Sequence, residues 1–157
     1  MGTYRLCKRF TVESGHMLSK HPEGCRYPHG HSRTIEVVLS SKTLNSQDMV
    51  VDFKALKLAV CDYIDRFDHR TMIHRDDPLL SSLQSIHPDS VIVCDEDPTT
   101  EVMARMIFEH VQAVLVTGFS GTTNSGITYT IDPGRVNLER VRVWETATSW
   151  AEYAAED

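Results

Sequence analysis

This 157-residue chain is short of the features that mark several large classes of protein. No apolar run approaches the roughly 18 residues needed to cross a bilayer, which argues against a membrane-spanning helix. The first ten residues, Met1 to Phe10, carry Arg5, Lys8 and Arg9 and no apolar core. They do not read as a signal peptide, so a cytoplasmic location is expected. Basic residues number 16 against 22 acidic ones, a net charge of −6. That lacks the basic excess that general nucleic-acid binding requires, although a few local Arg or Lys residues can still hold a phosphorylated small molecule. Cysteine is scarce: Cys7, Cys25, Cys61 and Cys94 are widely spaced, with no Cys-x-x-Cys pair. Without an export signal they are expected to be reduced, which argues against a disulfide framework and leaves room for a single functional thiol. Internal repeats and low-complexity segments are also missing. Hydrophobic residues at 41% and charged residues at 24% are ordinary for a globular protein, and the length fits one domain, residues 1–157.

The periodicities give an element order. Residues 3–14 alternate apolar and polar side chains, as do residues 31–42, so both read as strands. Gly15 to Pro28 reads as a loop. Apolar residues at 53, 56, 60, 63, 64 and 67 have helical spacing, with Asp52 as N-cap. A second helix starts at Pro98-Thr99-Thr100-Glu101, a capping sequence, and continues through apolar positions 103, 107, 111, 114 and 115. Residues 74–98 read as irregular and Gly118 to Gly126 as a mobile loop. Residues 127–131 and 136–144 read as a hairpin around Asp132-Pro133-Gly134. The expected class is α+β, a four-stranded antiparallel sheet with two helices on one face in the order ββααββ.

The chemistry concentrates in Cys25-Arg-Tyr-Pro-His29-Gly-His31, with His16 upstream. Residues two apart on a strand face the same way, so His29 and His31 on one strand present both imidazoles to one side. A third imidazole from a neighbouring strand completes a three-nitrogen set. Neutral imidazoles suit zinc, and three protein ligands leave a fourth position open, the arrangement of catalytic sites. Taken alone, His-Gly-His is weak and can be two polar residues at a strand edge. Asp68-His69 after a helix can equally be a surface pair complementing the helix dipole. Thr99, Thr100 and Glu101 are accounted for as a helix cap. Cys7, Cys61 and Cys94 read as small, partly buried residues, and His21, His74, His87 and His110 as surface or loop residues.

Across nearly the whole chain the motifs resemble the 6-pyruvoyl-tetrahydropterin synthase / 6-carboxytetrahydropterin synthase family. They are Ser14-Gly-His16, Cys25-x3-His29-Gly-His31, Met49-Val-Val-Asp52-Phe53-Lys54-x-Leu56-Lys57, Phe67-Asp68-His69, Pro98-Thr99-Thr100-Glu101 and Trp144-Glu145-Thr146. The resemblance implies the tunnelling fold, in which subunits join their sheets into a barrel as trimers or hexamers with active sites between subunits. It implies Zn2+ held by His16, His29 and His31 and acting as a Lewis acid on the substrate side chain. It implies Cys25 as catalytic general acid or base and Asp68-His69 as a second proton-transfer pair. Glu145 matches the pterin anchor, and Thr100 and Glu101 border the same pocket. Lys20 and Arg26 flank the Cys25 loop and either contact a triphosphate or are simply solvated.

Three residues separate Cys25 from His29, a spacing that resembles the carboxytetrahydropterin synthases more than the pyruvoyl enzymes. The implied reaction converts 7,8-dihydroneopterin triphosphate to 6-carboxy-5,6,7,8-tetrahydropterin, triphosphate and acetaldehyde, on the route to 7-deazaguanine and queuosine. The alternatives are 6-pyruvoyl-tetrahydropterin synthase, a non-catalytic pterin-binding protein on the same fold, and a zinc hydrolase, which leaves Cys25 and Glu145 without a role. Two features depart from the family pattern. Asp68-His69-Arg70-Thr71-Met72-Ile73 lacks the usual Asn, and there is extra sequence near 74–97 and 117–135.

Overall fold

The computed structural model describes residues 1–156. In chain order the elements are β1 (Tyr4–Met17), β2 (His29–Ser41), α1 (Phe53–Asp65), β3 (Thr71–His74), α2 (Leu80–Ile86), β4 (Val91–Cys94), α3 (Thr100–Thr117), β5 (Phe119–Thr122), β6 (Thr128–Ile131), β7 (Asn137–Thr146) and β8 (Ser149–Ala154). The class is α+β as expected, but the sheet has six strands, in the order β4-β3-β1-β2-β7-β8. The four-stranded ββααββ expectation is therefore corrected. β3 and β4 add parallel strands beside β1, and β8 extends the other edge. β3 and β4 are four residues each, too short to carry a legible period inside the Pro-punctuated stretch 74–98. The same stretch holds α2, a third helix with no buried residue.

The expected hairpin of 127–131 with 136–144 does not form. β6 pairs with β5, inside the stretch read as a mobile loop, and β7 pairs with β2 and β8. The turn at Asp132–Arg135 exists, but it carries the chain from the β5–β6 ribbon to the main sheet. Gly118 makes the entry to the ribbon possible. Its φ is +81°, and a Cβ there would lie 2.8 Å from Pro133 Cγ and 2.9 Å from the Ile131 carbonyl oxygen.

The two long helices begin where the sequence places them. The Asp52 carboxylate accepts from Lys54 N at 2.7 Å, and Thr99 Oγ1 accepts from Val102 N at 3.2 Å. Their apolar stripes meet one face of the sheet. Ala55, Leu56, Val60 and Ile64 of α1 and Met103, Ile107, Val111 and Leu115 of α3 pack on Val12, Ile35, Val37, Leu39, Val141 and Val143. The opposite face carries charged pairs such as Arg9–Glu36 and Arg142–Glu152, both at 2.9 Å.

Candidate active site

The site lies at the end of the β1–β2 pair, on the face that packs against the helices. β1 runs to Met17, three residues beyond the expected end at 14, and β2 begins at His29. His16 pairs with His29 and Ser14 with His31, so alternation places all three imidazoles on one side. Their ring centroids are 4.5, 5.1 and 5.2 Å apart, and one nitrogen from each lies within 4.8 Å of the others.

The outer nitrogens are already committed. His16 Nδ1 donates to the Pro98 carbonyl oxygen at 2.8 Å, and His29 Nδ1 donates to the Tyr27 carbonyl oxygen at 2.7 Å. Each bond fixes the tautomer that leaves Nε2 with its lone pair free, the usual device for a metal-ligating histidine. His31 Nε2 is buried and has no hydrogen-bond partner. Burial, followed by the nearby Arg33 and His29 charges, lowers the His16 pKa to about 4 despite the Pro98 bond, so this imidazole is neutral at pH 7. Burial also lowers the His31 pKa. Three ring nitrogens converging on one point can hold a metal ion with a coordination position to spare.

Glu145 closes this set from β7. Thr34 pairs with Trp144, so Glu145 lies one residue along, beside Arg33 on the same face. Between β7 and β8 the register shifts between Trp144 and Thr146, leaving Glu145 as the extra residue of a bulge. Bulges re-aim side chains, and this one directs the carboxylate at the histidines. Glu145 Oε1 lies 3.6 Å from Nε2 of both His16 and His31 and accepts from Thr100 Oγ1 at 3.0 Å. Burial alone would raise its pKa, but Thr100, His31, Arg33 and His16 outweigh burial and lower it. Glu145 also lines a cavity of about 260 Å³ with Leu18, Thr99, Thr100, Glu101, Ser149, Trp150 and Ala151. Glu145, Thr100 and Glu101 thus line one cavity, Thr100 buried and Glu101 exposed.

Four consecutive residues tie the site together. Asp97 accepts from the Ser19 amide and hydroxyl and from the Lys20 amide, anchoring the loop that leads to Cys25. Pro98 orients His16, Thr99 caps α3, and Thr100 bridges to Glu145. Burial works to raise the Asp97 pKa, but the Ser19 and Lys20 bonds prevail and lower it. Only the cap was legible in the sequence. Arg33 and Asp97, both buried, were missed. A charged residue at an apolar position of the strand period was the available signal for Arg33.

Cys25 is exposed, on a short 3-10 turn at Gly24–Arg26, and its carbonyl oxygen accepts from Leu18 N at 3.0 Å. Lys20 and Arg26 are exposed, the latter 5.4 Å from the Tyr27 ring centroid. Burial pushes the Cys94 thiol up to about 11 and raises those of Cys7 and Cys61, although Cys7 is classed as exposed rather than partly buried. His74 is buried in β3, contrary to the surface placement expected, because its strand lies inside the sheet.

Asp68 and His69 form a pair, His69 Nδ1 lying 2.8 Å from Asp68 Oδ2. Both are pinned to β1: Asp68 Oδ1 accepts from Glu13 N at 2.7 Å, and His69 N donates to Glu13 O at 2.6 Å. These bonds hold His69 at φ 56°, a left-handed backbone uncommon for a non-glycine residue. The bond from the Glu13 amide, then His69, lowers the Asp68 pKa. The pair lines a different cavity, with Arg70 and residues 86–90, that shares no residue with the one at Glu145.

From residue 5 to 156 the sequence matches the pattern of 6-pyruvoyl tetrahydropterin synthase. The chain belongs to that family. Its relatives include the 6-carboxy-5,6,7,8-tetrahydropterin synthase of Aquifex aeolicus, 29% identical over 98% of this chain and 99% of that one. The enzyme of the same name from Haemophilus influenzae is 26% identical over 96% of this chain and 98% of its own. Among solved structures, an uncharacterized protein from Wolinella succinogenes superposes with a TM-score of 0.78 at 23% identity, covering 99% of this chain and all of that one. The 6-pyruvoyl tetrahydropterin synthase of Caenorhabditis elegans superposes at 0.67 with 19% identity, covering 99% and 98%. These neighbours share the α+β fold of this family member. No helix among the described residues is long and apolar enough to cross a membrane.

Proposed function

We propose that this protein is a zinc-dependent 6-carboxy-5,6,7,8-tetrahydropterin synthase acting on 7,8-dihydroneopterin triphosphate. The observation that carries the reading is one carboxylate oxygen, Glu145 Oε1, 3.6 Å from the free nitrogens of two of three converging histidines. This sets an acceptor-only group beside a metal-binding set. A pterin ring offers an N–H and an amino group side by side, which a carboxylate accepts together. With the ring held at Glu145, the substrate side chain extends toward His16, His29 and His31. The full-length relatives named for this activity support the same reading.

The roles follow from chemistry and exposure. Zinc, when bound, supplies Lewis acidity to oxygens of the substrate side chain. Cys25 and the Asp68–His69 pair move protons on that side chain, the carboxylate orienting the imidazole through the 2.8 Å contact. Proton transfers accompany elimination of triphosphate, and one water is taken up before carbon–carbon cleavage releases acetaldehyde and leaves the 6-carboxylate. Because the pair and the Glu145 cavity are separate within one chain, the pair serves the site of a neighbouring copy. The strand edges at β4 and β8 are open to join such copies into a trimer or hexamer. A 6-pyruvoyl product is the second reading, favoured by the names of several neighbours of the same fold.

Incubating the zinc-loaded protein with 7,8-dihydroneopterin triphosphate and identifying products by mass spectrometry tests this. A 6-carboxy pterin with acetaldehyde is expected. A pyruvoyl product selects the second reading, and no turnover with zinc bound rejects both.

A further inference from the structure

Arg33 is a fully buried guanidinium at the floor of the site, 1% exposed. Alternation gives its position to the core: the next inward residues on β2 are Ile35 and Val37. An apolar side chain would fill such a place without desolvating a charge. The guanidinium is poorly served in return. Its Nη1 donates to Thr100 Oγ1 at 3.0 Å, and its Nε has no partner. Its Nη2 lies 3.2 Å from His16 Nδ1, which already donates its hydrogen to the Pro98 carbonyl and cannot accept, and it reaches the accepting nitrogen, His16 Nε2, only at 3.5 Å, the limit of hydrogen bonding. Among the described residues, Arg33 makes its one ion pair with Glu145, at 3.8 Å.

The hydrogen positions follow. The Thr100 hydroxyl accepts from Arg33, so its single hydrogen is free to go to Glu145 Oε1, the 3.0 Å contact. Arg33 thus fixes the direction of the hydroxyl and places a permanent positive charge behind the carboxylate. That matters because Glu145 Oε1 is 3.6 Å from Nε2 of His16 and of His31. A small rotation would make Glu145 a fourth metal ligand and fill the position that substrate needs.

We infer that Arg33 is a positioning residue that restrains Glu145 from the metal and keeps its carboxylate available to a ligand with paired N–H donors. The ligand class rests on the pterin reading above; the restraint on Glu145 does not.

The test is a double-mutant cycle of Arg33→Met and Glu145→Gln, with Arg33→Gln as a second variant should the methionine not fold, read by circular dichroism, neopterin affinity and zinc affinity from chelator competition. Arg33→Met is expected to weaken neopterin binding about tenfold or more, the loss of a charge-assisted arrangement. In a Glu145→Gln background the same change should add little. Zinc should bind Arg33→Met several-fold more tightly, and Glu145→Gln should erase that gain. Additive effects on neopterin, or unchanged zinc affinity in both Arg33 variants, would overturn the inference. If the wild-type protein fails to bind neopterin, the pterin reading falls, while the zinc arm still decides the role of Arg33.

Discussion

On one side β1 gives up a buried side chain to the site; on the other it gives only its backbone. His16 faces the helices, wholly enclosed, with its outer nitrogen bonded to Pro98. Glu13, three residues earlier, holds the Asp68–His69 pair through its amide and carbonyl, and the His69 side chain is 79% exposed. The inward half is preorganised: His16, His29 and Glu145 each have an internal bond that sets their orientation. Metal binding and ring recognition demand such fixed geometry, and burial supplies it. The outward half, with Cys25 also exposed, keeps the groups proposed for proton transfer on the surface, where the proposed neighbouring copy would reach them. Under the proposed roles, the molecule separates holding from reacting.

Breaking the inward half should have the largest effect. His31→Ala removes one of the three proposed ligands, and zinc affinity should fall at least ~100-fold, with activity lost in parallel. Metal analysis after dialysis checks this. A variant that retains stoichiometric zinc would mean that Glu145 or another group takes over, and the triad would lose its standing.

Next in size is the outward half. Asp68→Asn should cut turnover by roughly 10²–10⁴, the range of general acid–base assistance, with zinc content unchanged. Loss of metal in this variant would end the separation of the two halves. A sharper form mixes His31→Ala with His69→Ala protein after dissociation. If the halves meet across a subunit boundary, mixed oligomers regain activity that neither parent has; no recovery would put the complete set in one chain.

The two halves were unequally legible. The histidines stood out because alternation on a strand is a strict rule, and two residues apart means one face. Glu145 had no local signal. Its aim depends on a bulge against β8, and β8, with its Trp-Ala-Glu-Tyr-Ala run, shows no clean alternation. β3 and β4 were hidden for another reason: parallel pairing is decided by distant residues, and four-residue strands hold too little pattern. Caps were read correctly because a cap is local, made at Asp52 and Thr99 with the amides of their own helices. The tie from Asp97 to Ser19 spans 78 positions and leaves no trace in either segment.

A smaller effect, in stability rather than rate, also separates the halves. The His16 pKa falls from 6.5 in the unfolded chain to about 4 in the folded one, so between these values the unfolded state binds more protons. The stabilisation is complete above pH 6.5 and is lost as pH falls toward 4, by about 3 kcal/mol. The lowered pKa of His31 acts in the same direction. Urea unfolding of the zinc-free protein from pH 7 to pH 4 should show this decline. His16→Gln should flatten it and Asp68→Asn should leave the slope over that window. A flat wild-type curve would mean that the triad is protonated without cost and is not buried as described.

The smallest expected effect concerns the joint between the halves. Asp97 is buried in the inward half, yet its carboxylate holds the loop that carries Cys25. In Asp97→Asn one oxygen becomes an amide nitrogen. Only one of the two faces of the clamp can then accept, and the Ser19 hydroxyl and amide together outbid the single Lys20 amide. Lys20 N–H is left facing a donor, a loss of about 1.5–3 kcal/mol for a bond to a charged acceptor. The loop should loosen at that point while the histidines stay in place. Hydrogen exchange at Lys20 and alkylation of Cys25 by iodoacetamide should both speed up, zinc content should not change, and kcat should fall a few-fold with KM little altered. If alkylation and kcat are both unmoved, the clamp does not transmit to Cys25 and the outward thiol is positioned by something else. If zinc is lost as well, Asp97 serves the inward half through Pro98, and the two halves are less independent than their burial suggests.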